Sequence, residues 1–162
     1  MIRKIFLALL LIFVAIQFIR PEKNISAQIS ANDITAHYTV PEDVLKALKI
    51  SCYDCHSNNT IYPWYYNIQP VAWWMADHVK VGKEEINFSE FGSYAPKKQR
   101  HKLGEVIHQV KENEMPLDSY LWIHKNAALS DAQKNSIISW ADSLKKSIET
   151  KNNLPPETRD DE

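Results

Sequence analysis

The stretch Ser51 to Asn59, SCYDCHSNN, holds both cysteines of the chain, Cys52 and Cys55, with His56 directly behind them. Cys-x-x-Cys spacing serves three chemistries: dithiol redox exchange, half of a zinc site, and covalent attachment of haem. Dithiol exchange of the thioredoxin kind needs a βαβ surround, with the motif at a helix N-terminus that lowers the thiol pKa. Here the motif follows a helix-like segment, and nothing nearby alternates as a strand does. A zinc site needs four ligands. His78, His101, His108 or His124 could join the pair, but no second paired motif accompanies it. Haem attachment asks for Cys-x-x-Cys-His as a unit, each thiol adding to one vinyl group and the histidine ligating iron. Cys52, Cys55 and His56 meet that pattern in full. A disulfide across so short a loop would restrict few unfolded conformations and stabilise little.

The start of the chain bears on the compartment. Ile5 to Ile19 reads IFLALLLIFVAIQFI, apolar except for Gln17 and preceded by Arg3-Lys4, which is the pattern of an export leader. No small-residue cleavage site follows, because Arg20-Pro21-Glu22-Lys23 comes next. The expectation is an uncleaved N-terminal membrane helix with its basic end cytoplasmic and the domain on the periplasmic side of the inner membrane. A cleaved signal releasing a soluble periplasmic protein is the alternative. Thioether haem is attached after export, so leader and motif agree.

The net charge of −1 gives no global field for nucleic acid, and the basic excess of residues 1–23 leaves the rest at about −4. Three glycines are too few for a protein of tight hairpins. Thr39-Val40-Pro41-Glu42-Asp43 reads as a helix start with a hydroxyl cap, leading through Val44, Leu45 and Leu48 into the cysteine motif. Residues 58–70 (NNTIYPWYYNIQP) read as an ordered aromatic loop, and Val71 to Val79 as a helix. Gly82 to Ala95 reads as a loop. Pro96 opens a helix to about Asn113, striped by Leu103, Val106, Ile107 and Val110. Ser130 and Gln133 form a capping-box pattern before a last helix striped by Ile137, Trp140, Ala141, Leu144 and Ile148. The expected division is a signal-anchor at 1–23, a linker at 24–38, a haem-binding domain at 39–149 and a disordered acidic tail at 150–162.

Helix, CxxCH, intervening region, Met-Pro and a Leu-Ser-Asp-capped final helix resemble, in that order, class I cytochromes c. The chain is also similar to the bacterial haem-binding domain family of cytochrome c-like proteins. That resemblance rests on CYDCHSNNTIYPWYYNIQPVAWW (residues 52–74) and EMPLDSYLWIHKNAALS (114–130), and it covers roughly residues 30–148. It implies an all-α, cytochrome c-like domain of four to five short helices around one covalently bound haem c, exported and membrane-associated.

With haem assumed, iron has one further axial position. Met115 is the expected ligand: it lies in a polar, non-helical stretch stiffened by Pro116, and a thioether favours ferrous iron. Met75 and His78 fall on an apolar helix face and read as core. His124 is the main histidine rival, His101 and His108 read as solvated among charges, and His37 falls in the linker. Trp64, Tyr66 and Trp74 are expected to wall the haem pocket, with Tyr65 and Trp73 beside them. The expected function is single-electron transfer between redox partner proteins at the membrane surface, after loading by the cytochrome c maturation machinery and with no enzymatic step. A haem sensor or peroxidase-like enzyme with an open distal site is the alternative. A docking module whose haem is structural is a third.

Overall fold

The computed structural model describes residues 1–155. Eight α-helices follow in chain order: α1 (Ile2–Ile16), α2 (Ile34–His37), α3 (Glu42–Ser51), α4 (Tyr53–His56), α5 (Val71–Glu85), α6 (Pro96–Lys111), α7 (Asp118–Leu121) and α8 (Asp131–Asn152). Three 3-10 turns intervene at Trp64–Asn67, Phe88–Ser93 and Lys125–Ala127. Among the described residues there is no strand, only an isolated bridge between Ile25 and Asn59. The fold is all-helical.

The core forms where three apolar stripes meet. Val44, Ala47 and Leu48 of α3 join Leu103 and Val110 of α6 and Ile137, Trp140, Ala141 and Ile148 of α8. These spacings of three, four and seven keep each stripe on one helix face. The predicted capping box opens α8: the Ser130 hydroxyl accepts from the Gln133 N–H, and the Gln133 side chain accepts from the Ser130 N–H. Helix α3 begins differently from expectation, with Pro41 at its N-cap and no side-chain cap. Glu42 and Asp43 in its first turn still complement the helix dipole.

Helix α5 continues through Gly82 to Glu85, past the loop expected to start at Gly82. A single glycine costs a helix only about 1 kcal/mol, which packing here outweighs.

Residues 24–38, expected as a linker, are packed into the domain. Ile34 is 0% exposed in the main core, and Asp33 caps α2 by accepting from the Thr35 N–H. The Asn24 side chain donates to the Ser57 carbonyl and the Thr60 hydroxyl and accepts from Lys83 Nζ. The polar character that suggests a tether is here spent on hydrogen bonds to the domain.

The N-terminal helix expected to span a membrane is α1. Its 15 residues reach about 22 Å at 1.5 Å each, short of the ~30 Å hydrocarbon core. Among the described residues no helix is long and apolar enough to cross a membrane. At the other end, the expected disordered tail begins in order: α8 runs to Asn152, and Leu154 packs against the core. The rest of that tail, from residue 156, lies outside the described residues.

Candidate functional site: a cavity that gathers the cysteine motif and Met115

A cavity of about 430 Å³ opens between α3–α4, α5, α6 and the segment leading to α7. That volume falls in the range of cofactor and small-molecule sites. Cys52, Cys55 and His56 line it, and so do Met115, Pro116 and Leu117. Leu48, Val81, Ile86, Phe88, Val106 and Val110 make its apolar wall. The two ends of the sequence reading, the motif and the methionine, thus share one chamber.

Local structure explains how each arrives. Cys52 closes α3 and opens α4, so the motif is a single helical turn on the end of α3; Cys55 and His56 both bond back to the Cys52 carbonyl. The turn packs on α5 at Gly82, where an added Cβ would lie 2.9 Å from the Cys55 carbonyl oxygen. Met115 is set by the end of α6. Asn113 takes the left-handed conformation (φ 62°), and the Glu114 and Met115 N–H groups both return to the Gln109 carbonyl. The Asn113 side chain accepts from Lys134 Nζ at 2.6 Å, tying this turn to α8.

The chemistry of the donors is specific. His56 Nδ1 lies 3.1 Å from the Ile86 carbonyl. A carbonyl only accepts, so Nδ1 carries the proton and Nε2 keeps its lone pair. Burial holds the His56 pKa below its usual value, favouring the neutral ring that binds metals. Phe88 meets this ring edge-on and stacks on Tyr53. Both cysteines are free, and burial pushes Cys52 up to about 12 and Cys55 to about 11. Burial thus favours the thiol form of both, whereas a dithiol-exchange site holds its attacking cysteine at a lowered pKa. Among the described residues no three His, Cys, Asp or Glu side chains converge to hold a bare metal ion. Two thiols, a neutral imidazole and a thioether around a chamber of this size suit a flat metal-carrying group with axial donors.

Sequence reasoning missed other parts of the wall. Tyr120 donates from its hydroxyl to Asp54 Oδ2 at 2.8 Å, and both residues line the cavity. Burial and that bond raise the Tyr120 pKa above its ordinary value. Lys102 joins Glu85 at 3.2 Å and Glu105 at 2.6 Å, bridging α5 and α6 at the chamber. Lys102 and Glu105 are three residues apart on α6 and so were open to a local rule, but no local pattern marks Tyr120–Asp54 or Lys102–Glu85, whose partners come from different elements. Gly82 also carried a signal, as a glycine beside a helical stripe.

The aromatics expected to wall a haem pocket are placed elsewhere. Trp64, Tyr66 and Trp74 all lie outside the cavity lining. Trp64 is 76% exposed, and Tyr66 is buried against Tyr62, its hydroxyl close to the Pro21 and Glu22 carbonyls. Trp74 is exposed and packs on His78 at 4.2 Å between centroids. Of the three, Tyr66 meets the N-terminal segment, while Trp64 packs on Tyr65. Of the rival ligands, His78 does line the cavity, its Nδ1 bound to the Trp74 carbonyl. His124 does not; it stacks on Tyr120. Met75 is also outside, and His101 pairs with Glu105 at 3.5 Å and is not free in solvent.

A family model described as a haem-binding domain matches residues 11–143. Neither the comparison with curated proteins nor that with solved structures gave a match.

Proposed function

The chain belongs to the haem-binding domain family, and on that premise we propose that it is an exported monohaem c-type cytochrome that moves single electrons at a membrane surface. The observation that carries this reading is the shared chamber: Cys52, Cys55, His56 and Met115, 59 residues beyond His56, line one cavity. Haem, when bound, supplies a reversible one-electron iron couple.

The chain's own residues have separate parts. Cys52 and Cys55 would hold the porphyrin through thioethers, one thiol for each vinyl group. His56 would hold the iron through Nε2, because the Ile86 carbonyl accepts from Nδ1–H and so fixes its tautomer. Met115 would supply a thioether ligand, which favours ferrous iron and a higher reduction potential. Val106, Val110 and Leu117 give the chamber an apolar wall, whose low dielectric would favour the less charged state of the iron. In this reading the chain is an electron carrier, loaded by a haem c maturation machinery and served by redox partner proteins. Export to the periplasmic side of an inner membrane and attachment there through α1 complete the reading.

The test is denaturing electrophoresis of protein produced with a haem c maturation system. Haem stays with the wild-type chain through boiling in reductant, and Cys52→Ser with Cys55→Ser releases it. Haem that leaves the wild-type chain on denaturation sinks the c-type assignment.

One observation favours a second reading, a haem sensor or peroxidase-like enzyme. His78 lines the same chamber with Nδ1 occupied and Nε2 free. Tight carbon monoxide binding by the reduced wild type would select this reading over the carrier.

A further inference from the structure

Residues 17–23, between α1 and the domain, are fastened to the aromatic segment that the cavity does not use. Gln17 and Gln69 exchange two bonds, Gln69 N–H to Gln17 Oε1 at 2.9 Å and Gln17 Nε2 to the Gln69 carbonyl at 3.3 Å. Gln69 Nε2 and Trp73 Nε1 both donate to the Ile19 carbonyl, at 2.8 and 3.0 Å. Arg20 Nη1 donates to Asn67 Oδ1 at 3.3 Å. The foot of α1 is therefore held against Trp64–Trp73 by five bonds, and Gln69 is buried in the joint.

Around this joint the surface is apolar and open. Phe18, Ile19, Trp64, Ile68 and Trp73 are all exposed, and α1 above them buries no residue. An apolar helix that continues into exposed tryptophans exceeds what a soluble monomer normally shows to water. Cations sit beside it: Arg20 in the joint, and Lys23 with Nζ 5.5 and 5.9 Å from the Tyr62 and Tyr66 ring centroids. An apolar rod, tryptophans at its base and cations next to them match a bilayer from hydrocarbon to anionic headgroup. The shortness of α1 fits as well, because the aromatic foot extends the apolar surface that the helix alone lacks.

We propose that α1 and the Trp64–Trp73 segment form one continuous lipid-contacting surface that seats the domain on an anionic bilayer in a fixed orientation. Trp64 and Ile68 lie at headgroup level, and Arg20 and Lys23 meet lipid phosphates. This rests on the reading of α1 as a membrane attachment. Its consequence is that the domain does not swing on a tether, so redox partners meet it from a set direction along the membrane.

The chain's five tryptophans, at 64, 73, 74, 122 and 140, all lie outside α1, so lipid quenching of their emission reports the domain and not the helix. The full chain, haem-loaded, is mixed with phosphatidylcholine–phosphatidylglycerol vesicles, with and without bromine near the top of the acyl chains. Flotation reads attachment, and emission reads docking. The expected result is flotation with lower emission in brominated vesicles; Trp64→Phe removes the larger part of that loss, and Trp122→Phe, on an exposed residue that makes none of the five bonds, keeps it. Flotation with emission unchanged by bromine, or a loss that follows Trp122 instead of Trp64, overturns the docking surface and leaves attachment standing. A chain that does not float overturns the attachment and the docking with it.

Discussion

Gly82 and Cys55 touch: a Cβ on Gly82 would stand 2.9 Å from the Cys55 carbonyl oxygen and 3.1 Å from its Cβ. The contact seats the cysteine turn on α5, and through α5 it sets the turn against Ile86, the residue that holds His56.

Gly82→Ala should therefore destabilise the protein, although alanine is the better helix former by about 1 kcal/mol. Overpacking against backbone costs ~1–3 kcal/mol, so with the helix gain subtracted the net loss centres on about 1 kcal/mol. Thermal unfolding of the haem-loaded variant reads it as a lower Tm. An unchanged or higher Tm would show that α5 recedes freely and that the contact sets nothing.

Replacing Met115 separates the ligand from a wall residue. Oxidised wild type shows a sulfur-to-iron charge-transfer band, and Met115→Ala lacks it, has a lower reduction potential and binds carbon monoxide when reduced. Met115→His restores a filled site at a potential below wild type. If Met115→Ala keeps the wild-type spectrum, another group holds the distal position, and His78 is the first to replace.

Tyr120→Phe removes the one hydroxyl that bonds Asp54 Oδ2, while Asp54 Oδ1 keeps the Ile61 N–H. A bond to a half-exposed carboxylate is worth about 1 kcal/mol, so urea unfolding should show a loss of about that size. A gain in stability would mean that the bond does not repay the desolvation of its partners.

Ile34→Ala tests whether residues 24–38 belong to the folding unit. Ile34 is wholly buried in the main core, and truncation there should cost ~2–5 kcal/mol in chemical denaturation. A loss below ~0.5 kcal/mol, the range of surface changes, would return this segment to the status of a tether.

Much of this was legible in the chain. The helix stripes at Leu103–Val110 and Ile137–Ile148, the Ser130 cap and the cysteine motif rest on local rules of periodicity and spacing, and the fold kept them. The misread elements lack such rules. Residues 24–38 look like a tether because polar side chains that bond to a distant surface are the same residue types that bond to water. Gly82 looks like a helix stop because its use, a close approach to Cys55, depends on a helix encountered only after folding.

The same division runs through the site. By itself the sequence determined that two thiols and an imidazole fall on one turn, since spacing along a backbone is a covalent matter, and it offered Met115 as a partner. Only the tertiary structure decided that Met115 and not His124 shares their chamber, that the Ile86 carbonyl holds the His56 proton, and that Trp64, Tyr66 and Trp74 lie outside that chamber. Those outcomes depend on which surfaces of α5, α6 and α8 bury one another. That choice is made by the sum of many weak contacts across the whole chain, and no short stretch of residues contains it.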